Sequence, residues 1–441
     1  MRDKLHWLFT LRGRVTQSEY LRAGGLLVAL KLTIDWLLCT QVFDRPWSPL
    51  VYTMAVPGGL MRAGLDTGWI VLAIVAMPFC WVGAALTVRR LRDAAIHPWC
   101  TALFVVPIVN VVLFALGVLL QTERGPRRPI ATAVRPAPRW LDGTPVLLGA
   151  LAAGVLIAIG IGPLASYGGA LFLGAPFVQG FVIGAATNGR PVSGSIGQLA
   201  ISALLCATVL VFAAAEGIVC IVMASPIWIG MGCVGVLMGR AVGRDAWRRA
   251  TAALLVLPLL QLLEPRFSPP PGVFAVTTEL VVRAEPQRVW DSLVTFEAMP
   301  APTELPFRLG VAYPIHATIE GRGVGAVRRC SFNTGDFVEP IEVWDEPRLL
   351  RFTVDQCPQP MIEWNPLHEH VHAAHLHGFF AAKRGQFELL PQGDGSTLLR
   401  GTTWYAHGLH PEGYWQLWSE WLLHTIHHRV LAHIRDSAER R

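Results

Sequence analysis

The sequence predicts a multi-pass α-helical membrane region followed by a water-soluble α+β domain, an antiparallel sheet closed by a long C-terminal helix. Three observations carry this. Of the 441 residues, 52% are hydrophobic and only 15% charged, where an ordinary soluble chain has about 25% charged. Residues 1–263 carry 21 Lys/Arg against 10 Asp/Glu, while 264–441 carry 16 against 21. A basic apolar part therefore precedes an acidic polar one. Between them Glu264–Gly272 reads EPRFSPPPG, and three consecutive prolines with a glycine cannot continue a helix.

The N-terminal run MRDKLHWLFTLRGR lacks the small-residue cleavage site of a secretory signal and reads as an uncleaved cytoplasmic leader. Arg2, Lys4, Arg12, Arg14 and Arg22, with Trp7 and Phe9 between them, suit an anionic membrane surface and equally serve as a positive-inside signal. Apolar stretches near the roughly 20 residues needed to cross hydrocarbon follow: Ala23–Thr40, Gly68–Thr87, Pro98–Leu120, Thr144–Ala165, Gly168–Thr187, Ser195–Ala215, Gly217–Gly239 and a shorter Ala250–Leu263. Within the first, Lys31 and Asp35 share a helix face at i, i+4, as a mutually neutralising pair or as a site.

The run Phe9-Thr-Leu-Arg-Gly13-Arg14-Val-Thr-Gln17-Ser-Glu-Tyr20, with Arg89-Arg90-Leu91-Arg92-Asp93 and Trp99 some way on, resembles a family of small bacterial inner-membrane proteins of unknown function. That family opens with Phe-x-x-x-Gly-Arg-x-x-Arg-x-x-Tyr and carries an Arg-Arg-Leu-His-Asp turn before Gly-x-Ser-Gly-Trp. The chain departs at Gln17, at Arg92 and at Ala95–Pro98. The resemblance covers residues 5–122 and implies a membrane domain (1–122) in a bacterial inner membrane, not a reaction.

Topology holds a conflict. Arg89, Arg90 and Arg92 before the third apolar stretch, and Arg124, Arg127, Arg128, Arg135 and Arg139 after it, all ask to be cytoplasmic. Either 98–120 re-enters as a hairpin at Pro107–Asn110 or one cluster lies outside; Trp47–Met61 would shift the parity. Residues 123–143 form a Pro/Arg-rich linker. The second membrane unit, 144–263, has GxxxG spacing at Gly180/Gly184 and Gly235/Gly239, which lets helix backbones approach closely in lipid. Gly174-Ala-Pro176 and Ala224-Ser-Pro226 interrupt corresponding apolar segments, a pattern shared with transporters. Glu216, Cys220 and Met223 fall on one helix face at i, i+4 and i+7. After the hinge at 264–272 the soluble domain occupies 273–441. It is expected on the cytoplasmic side, like the N-terminus, if the short Ala250–Leu263 lies in the interface.

Alternating apolar runs predict strands at Val273–Arg283, Gly325–Phe332, Phe337–Trp344, Leu349–Val354, Gly385–Leu390 and Ser396–Tyr405. Pro286 opens a short helix with Val289, Leu293 and Phe296 on one face, and Tyr414–Glu439 reads as a long amphipathic helix. Ala284-Glu-Pro286-x-x-Val289-Trp290, Gly321-x-Gly323-x-Gly325-x-x-Arg328, Phe337-x-Glu339 with Trp344, and Gly385-x-Phe387 leading to Ser396-Thr397-Leu398 resemble the SRPBCC superfamily. This is the helix-grip fold of START lipid-transfer domains and polyketide cyclases. The resemblance implies an apolar cavity between sheet and C-terminal helix.

Seven tryptophans beyond the junction suit an aromatic-lined site of this kind. The expected walls are Trp290, Phe337, Trp344, Phe387, Trp404 and Trp418, with Arg328, Glu339 and Tyr405 as polar orienters. The expected function is binding of a hydrophobic small molecule, lipid, isoprenoid or quinone-like, taken from the adjacent bilayer. A cyclase-like enzyme and a transporter with a soluble regulatory domain are the alternatives. For catalysis no spacing is organised, although Glu339, Glu342, His375 and Tyr405 are acid/base groups on predicted strands.

Twelve of the 14 histidines fall in this domain. His372 and His375 in the cluster 368–377, and His424 and His428 at i, i+4, are the candidates for a metal, which is otherwise not expected. The eight cysteines form no CxxC pair, so zinc-finger spacing and a disulfide framework are both absent. No cofactor is expected. The net charge of +6 is no nucleic-acid footprint, because the excess cations flank apolar stretches. Nothing in the spacing speaks to oligomeric state.

Overall fold

The computed structural model describes residues 8, 10, 13–44, 47, 67–94, 96, 100–101, 109–120, 143–242, 256–267, 270–368, 371 and 373–440. The linker at 121–142, most of Trp47–Met61, most of the leader and the arginines at 244–249 lie outside them. The chain divides into two compact units, Met1–Leu210 with Ala224–Pro269, and Val211–Met223 with Pro270–Arg441.

The first unit opens with α1 (Gln17–Leu37). A reciprocal cap starts this helix: Glu19 N–H donates to Thr16 Oγ1, and Thr16 N–H to Glu19 Oε2 at 2.9 Å. The Lys31–Asp35 ion pair forms with Asp35 fully buried, so the pair is mutually neutralising. Helices α2 (Thr67–Asp93) and α3 (Val109–Leu119) pack on α1. Tyr20 is buried against Phe114 at 5.4 Å and shares a 2.9 Å hydrogen bond with Thr87.

Arg90 is buried and pairs with Asp93; its Nε donates to Gly117 O at 2.6 Å and its Nη2 to Leu120 O. It thus satisfies carbonyls that the end of α3 leaves open. The Arg-Arg-Leu-x-Asp run is a clamp on a helix end. Arg89 and Arg90 are 1% and 0% exposed, so they are not the loop cations that the positive-inside count assumed, and that side of the topology conflict weakens. In its described part, the expected third span is the 11-residue α3.

Next come α4 (Thr144–Ile161), a π turn (Ala170–Gly174) that runs into α5 (Ala175–Ala186), α6 (Val192–Phe212), α7 (Ile218–Val242) and α8 (Val256–Phe267). Among the described residues, Gln17–Val42, Thr144–Ile161, Val192–Phe212 and Ile218–Val242 are long and apolar enough to cross a membrane. The chain is a multi-pass membrane protein. Both GxxxG pairs are used: a Cβ on Gly180 would lie 1.9 Å from Gly232 O, and one on Gly239 2.1 Å from Phe181 O. Pro176 coincides with the change of helix type after the π turn, whereas α7 runs through Pro226 unbroken. The Glu264 carboxylate accepts from Gly169 N–H at 2.6 Å and Ala170 N–H at 3.2 Å. Helix α8 continues beyond the expected hinge start, through Pro265 to Phe267.

In the second unit one seven-stranded antiparallel sheet is ordered β1-β7-β6-β5-β4-β3-β2. Its strands are β1 (Val273–Val282), β2 (Pro314–Glu320), β3 (Val327–Phe332), β4 (Gly335–Asp345), β5 (Leu349–Thr353), β6 (Phe380–Pro391) and β7 (Thr397–His407). Strand β2 was not expected; it begins at a proline, as edge strands tolerate, and carries little alternation. Strand β6 starts five residues earlier than its apolar run.

Helices α9 (Pro286–Val294) and α10 (Leu305–Arg308) precede β2, and α11 (Glu412–Arg440) closes the chain. Leu431 and Ile434 of α11, both fully buried, meet Leu350, Leu389 and Leu399 of the sheet and Val289 and Leu293 of α9 in one core. The unit is a helix-grip α+β domain.

Candidate functional site

Strand alternation decides what faces the helix. The register pairs Arg328 with Glu339 and Cys330 with Phe337 across β3 and β4, and all four turn inward. Arg328, 2% exposed, forms an ion pair with Glu339, 6% exposed. Its guanidinium carbon lies 5.6 Å from the Phe296 ring, 5.7 Å from Phe352 and 5.8 Å from Phe387, a cation–π cage in a desolvated setting. Arg328 Nε has no hydrogen-bond partner among the described residues. Burial pushes the Glu339 carboxyl up from its usual range, and the Arg328 charge pulls it back.

Around this pair the expected wall residues assemble in part. Trp290 meets Trp344 edge to face at 5.4 Å, Phe337 meets Phe332 at 4.6 Å, and Phe387 meets Phe352 at 6.1 Å. All belong to, or pack against, the same cluster as Arg328's aromatic neighbours.

Three expected residues are elsewhere. Tyr405 is buried in a separate cluster with Val276 and Leu423. Trp404 is a correction: Leu399, Thr403 and Tyr405 face α11, so the residue between the last two points to the opposite side of the sheet. Trp418 is half-buried on α11 beside Trp421, at 5.9 Å.

The metal candidates separate likewise. His424 Nδ1 and His427 Nδ1 bond Thr278 Oγ1 at 2.7 and 3.0 Å, and His427 Nε2 bonds Thr403 Oγ1 at 2.8 Å. His424 is thus committed to the sheet while His428 is exposed, and among the described residues they join no group of ligating side chains. His372 lies outside the described residues. His375 does join such a group, with Glu216, Cys220 and Glu363. Cys220 Sγ is 3.0 Å from His375 Nε2, Glu363 Oε1 is 3.7 Å from that nitrogen, and Glu216 Oε2 is 3.5 Å from His375 Nδ1. Glu216 and Cys220 stand out in sequence at helical spacing, and His375 as one of many histidines. Glu363 has no local signal, because only the tertiary fold brings it there.

Buried His407 and half-buried His427 predict a pH response. His407, 2% exposed and stacked on Phe274 at 5.4 Å, is pushed down from 6.5 to about 4 by burial and then by His410. His427 is also lowered to about 4, by burial and by His424 and His428. Between pH 6.5 and 4 the unfolded chain therefore binds protons that the folded one refuses. Stability is fully present above about pH 6.5 and falls as pH drops through that window, for His407 by on the order of 3 kcal/mol. Denaturant midpoints at pH 7 and pH 5 check this, and His407→Phe should flatten the difference.

Residues 8–128 match the family described as a protein of unknown function, DUF805. No curated protein matches the chain. Among solved structures, norcoclaurine synthase from Thalictrum flavum aligns at 16% identity over 39% of this chain and 89% of its own, with a TM-score of 0.25. The Zhui aromatase/cyclase from Streptomyces sp. R1128 aligns at 16% identity over 38% of this chain and 96% of its own, with a TM-score of 0.24. A protein from Nitrosospira multiformis aligns at 20% identity over 38% of this chain and 100% of its own, also with a TM-score of 0.24.

Proposed function

We propose that this chain is a membrane-anchored binder of a hydrophobic small molecule, a lipid, isoprenoid or quinone-like compound drawn from a bacterial inner membrane. The ligand's apolar body packs against Phe337, Trp344 and Phe387, and its polar end is oriented by Arg328 and Glu339. The observation that carries the reading is the Arg328–Glu339 pair buried among three phenylalanine rings with Arg328 Nε unpartnered. A buried ion pair seldom adds stability over apolar packing, and a few convergent polar groups in an aromatic interior are what an apolar ligand site needs. Tethering to membrane helices raises the effective concentration of a bilayer-borne ligand. In this reading the N-terminus and the helix-grip domain both face the cytoplasm.

The test is native mass spectrometry of the full chain purified in mild detergent from its own host. One apolar molecule per chain is expected, and at least tenfold less of it in Glu339→Gln, which preserves shape while removing the charge. Absence of any bound molecule in the wild-type chain, or equal occupancy in the variant, would overturn the assignment of the site.

A further inference from the structure

The geometry points to a second, inorganic site: a divalent transition metal, zinc by its donor set, held by Cys220 Sγ, His375 Nε2 and the Glu363 carboxylate, with Glu216 fixing the imidazole. All four residues belong to the second unit, because Val211–Met223 groups with Pro270–Arg441. The site is independent of the Arg328–Glu339 interior.

Specific local bonds bring the three segments together. Asn365 Nδ2 donates to Val211 O and His368 Nε2 to Phe212 O, each at 2.9 Å, capping the last carbonyls of α6. Asn365 Oδ1 in turn accepts from Leu367 N–H and His368 N–H at 2.9 and 3.2 Å. Ile218 N–H, at the start of α7, donates to Trp364 O at 3.0 Å. Gly217 lets Glu363 approach the chain closely, since a Cβ there would lie 1.9 Å from Glu363 Oε2 and 2.8 Å from its Cβ. A 3-10 turn (Ala374–Leu376) presents His375, anchored by Ala373 and Leu376 in a cluster with Phe307, Val311 and Met361.

Glu363 supplies the independent pointer to a ligand. It is 4% exposed, yet neither carboxylate oxygen has a hydrogen-bond partner among the described residues. Desolvating a carboxylate without hydrogen bonds is costly, and such groups are rare unless a ligand completes them. The ligand atoms of all four residues lie within 4.8 Å of one another. Tetrahedral zinc with bonds of about 2.0–2.3 Å holds its ligands roughly 3.3–3.8 Å apart, so the 3.0 Å sulfur–nitrogen pair opens slightly and the wider pairs close by up to about 1 Å.

The donor set selects the ion. A thiolate and an imidazole disfavour magnesium and calcium, which take oxygen ligands, and a mixed sulfur, nitrogen and oxygen set suits zinc. Glu216 Oε2, 3.5 Å from His375 Nδ1, stands where a carboxylate orients a metal-bound imidazole through its other nitrogen. Three protein ligands leave the fourth position to solvent, the pattern of exchangeable and catalytic zinc rather than closed structural sites.

The experiment uses the untagged full chain in detergent, stripped with a chelator and titrated with Zn²⁺ alone. One equivalent per chain surviving desalting is expected, falling to background in Cys220→Ser, Glu363→Gln and His375→Gln and unchanged in His424→Gln/His428→Gln. Glu216→Gln should keep the stoichiometry but weaken affinity about 10- to 100-fold. Co²⁺ on the wild-type chain should give a near-ultraviolet thiolate charge-transfer band, a readout that depends on no variant folding. Failure of the wild-type chain to bind Zn²⁺, a Co²⁺ spectrum without thiolate character, or Zn²⁺ that survives both Cys220→Ser and Glu363→Gln overturns the proposal.

Discussion

Arg328→Met is expected to destabilise the helix-grip unit by about 3–5 kcal/mol, the cost of stranding one member of a buried ion pair. Glu339 stays inside, 6% exposed, with its principal counter-charge gone, and methionine cannot donate to it. Three rings, Phe296, Phe352 and Phe387, also lose the cation they surround. The double variant Arg328→Met/Glu339→Leu should recover most of the loss, because two apolar side chains leave no orphaned charge. Urea unfolding of the full chain in detergent, followed by far-ultraviolet circular dichroism, reads both. A single variant that loses under about 1 kcal/mol would mean that water reaches the pair, against the interior described above. A double variant that is stable but no longer carries ligand would separate the pair's cost to folding from its use in binding.

The second large effect belongs to the membrane unit. Gly235→Val should break the packing of α5 on α7, with a loss of about 3 kcal/mol or more, since overpacking at backbone contacts has little room to relax. A Cβ at 235 would lie 2.2 Å from Phe177 O, and one at 184 would lie 2.1 Å from Val236 O. The obstacles are backbone atoms, which no rotamer change removes. Gly230 on the same helix has nothing within 4 Å of an added Cβ, so Gly230→Val is the matched control and should change stability by less than about 1 kcal/mol. Thermal aggregation in detergent, compared across the pair, distinguishes close helix packing from a general intolerance of branched residues in α7.

Some of the candidate site was open to reading before any coordinates. Arg328 and Glu339 fall on predicted strands beside other charges, Arg329 and Glu342, and it is the resemblance of their motifs that singles them out, while Trp290 and Phe387 read as aromatics on the inner side of their elements. Trp404 misleads because an aromatic on a strand looks the same from either face. Only the register with β1 and β6 and the contacts of Thr403 and Tyr405 with α11 fix which side is inside. Histidine enrichment misleads in another way. His424 and His428 have ligand spacing, but the fold commits His424 to Thr278 and leaves His428 in solvent.

By itself the sequence determined what depends on neighbours along the chain. Hydropathy over 20 residues marks helices that a bilayer can hold, proline runs end them, GxxxG spacing presents a flat backbone face, and period-2 runs make strands. These are local rules, and most of the elements they name are present among the described residues, although β2 was missed and β6 begins five residues early. Tertiary structure alone decided what depends on distant partners. Arg90 is a helix clamp and not a topology charge because the end of α3, some 27 residues away, needs its carbonyls satisfied. Glu216, Cys220, Glu363 and His375 converge from segments up to 159 residues apart in sequence. Their convergence rests on helix caps at Asn365 and His368 and on a glycine at 217. Ligand sites of this kind are set by closing long loops, and no pattern along the chain encodes which loops close on which.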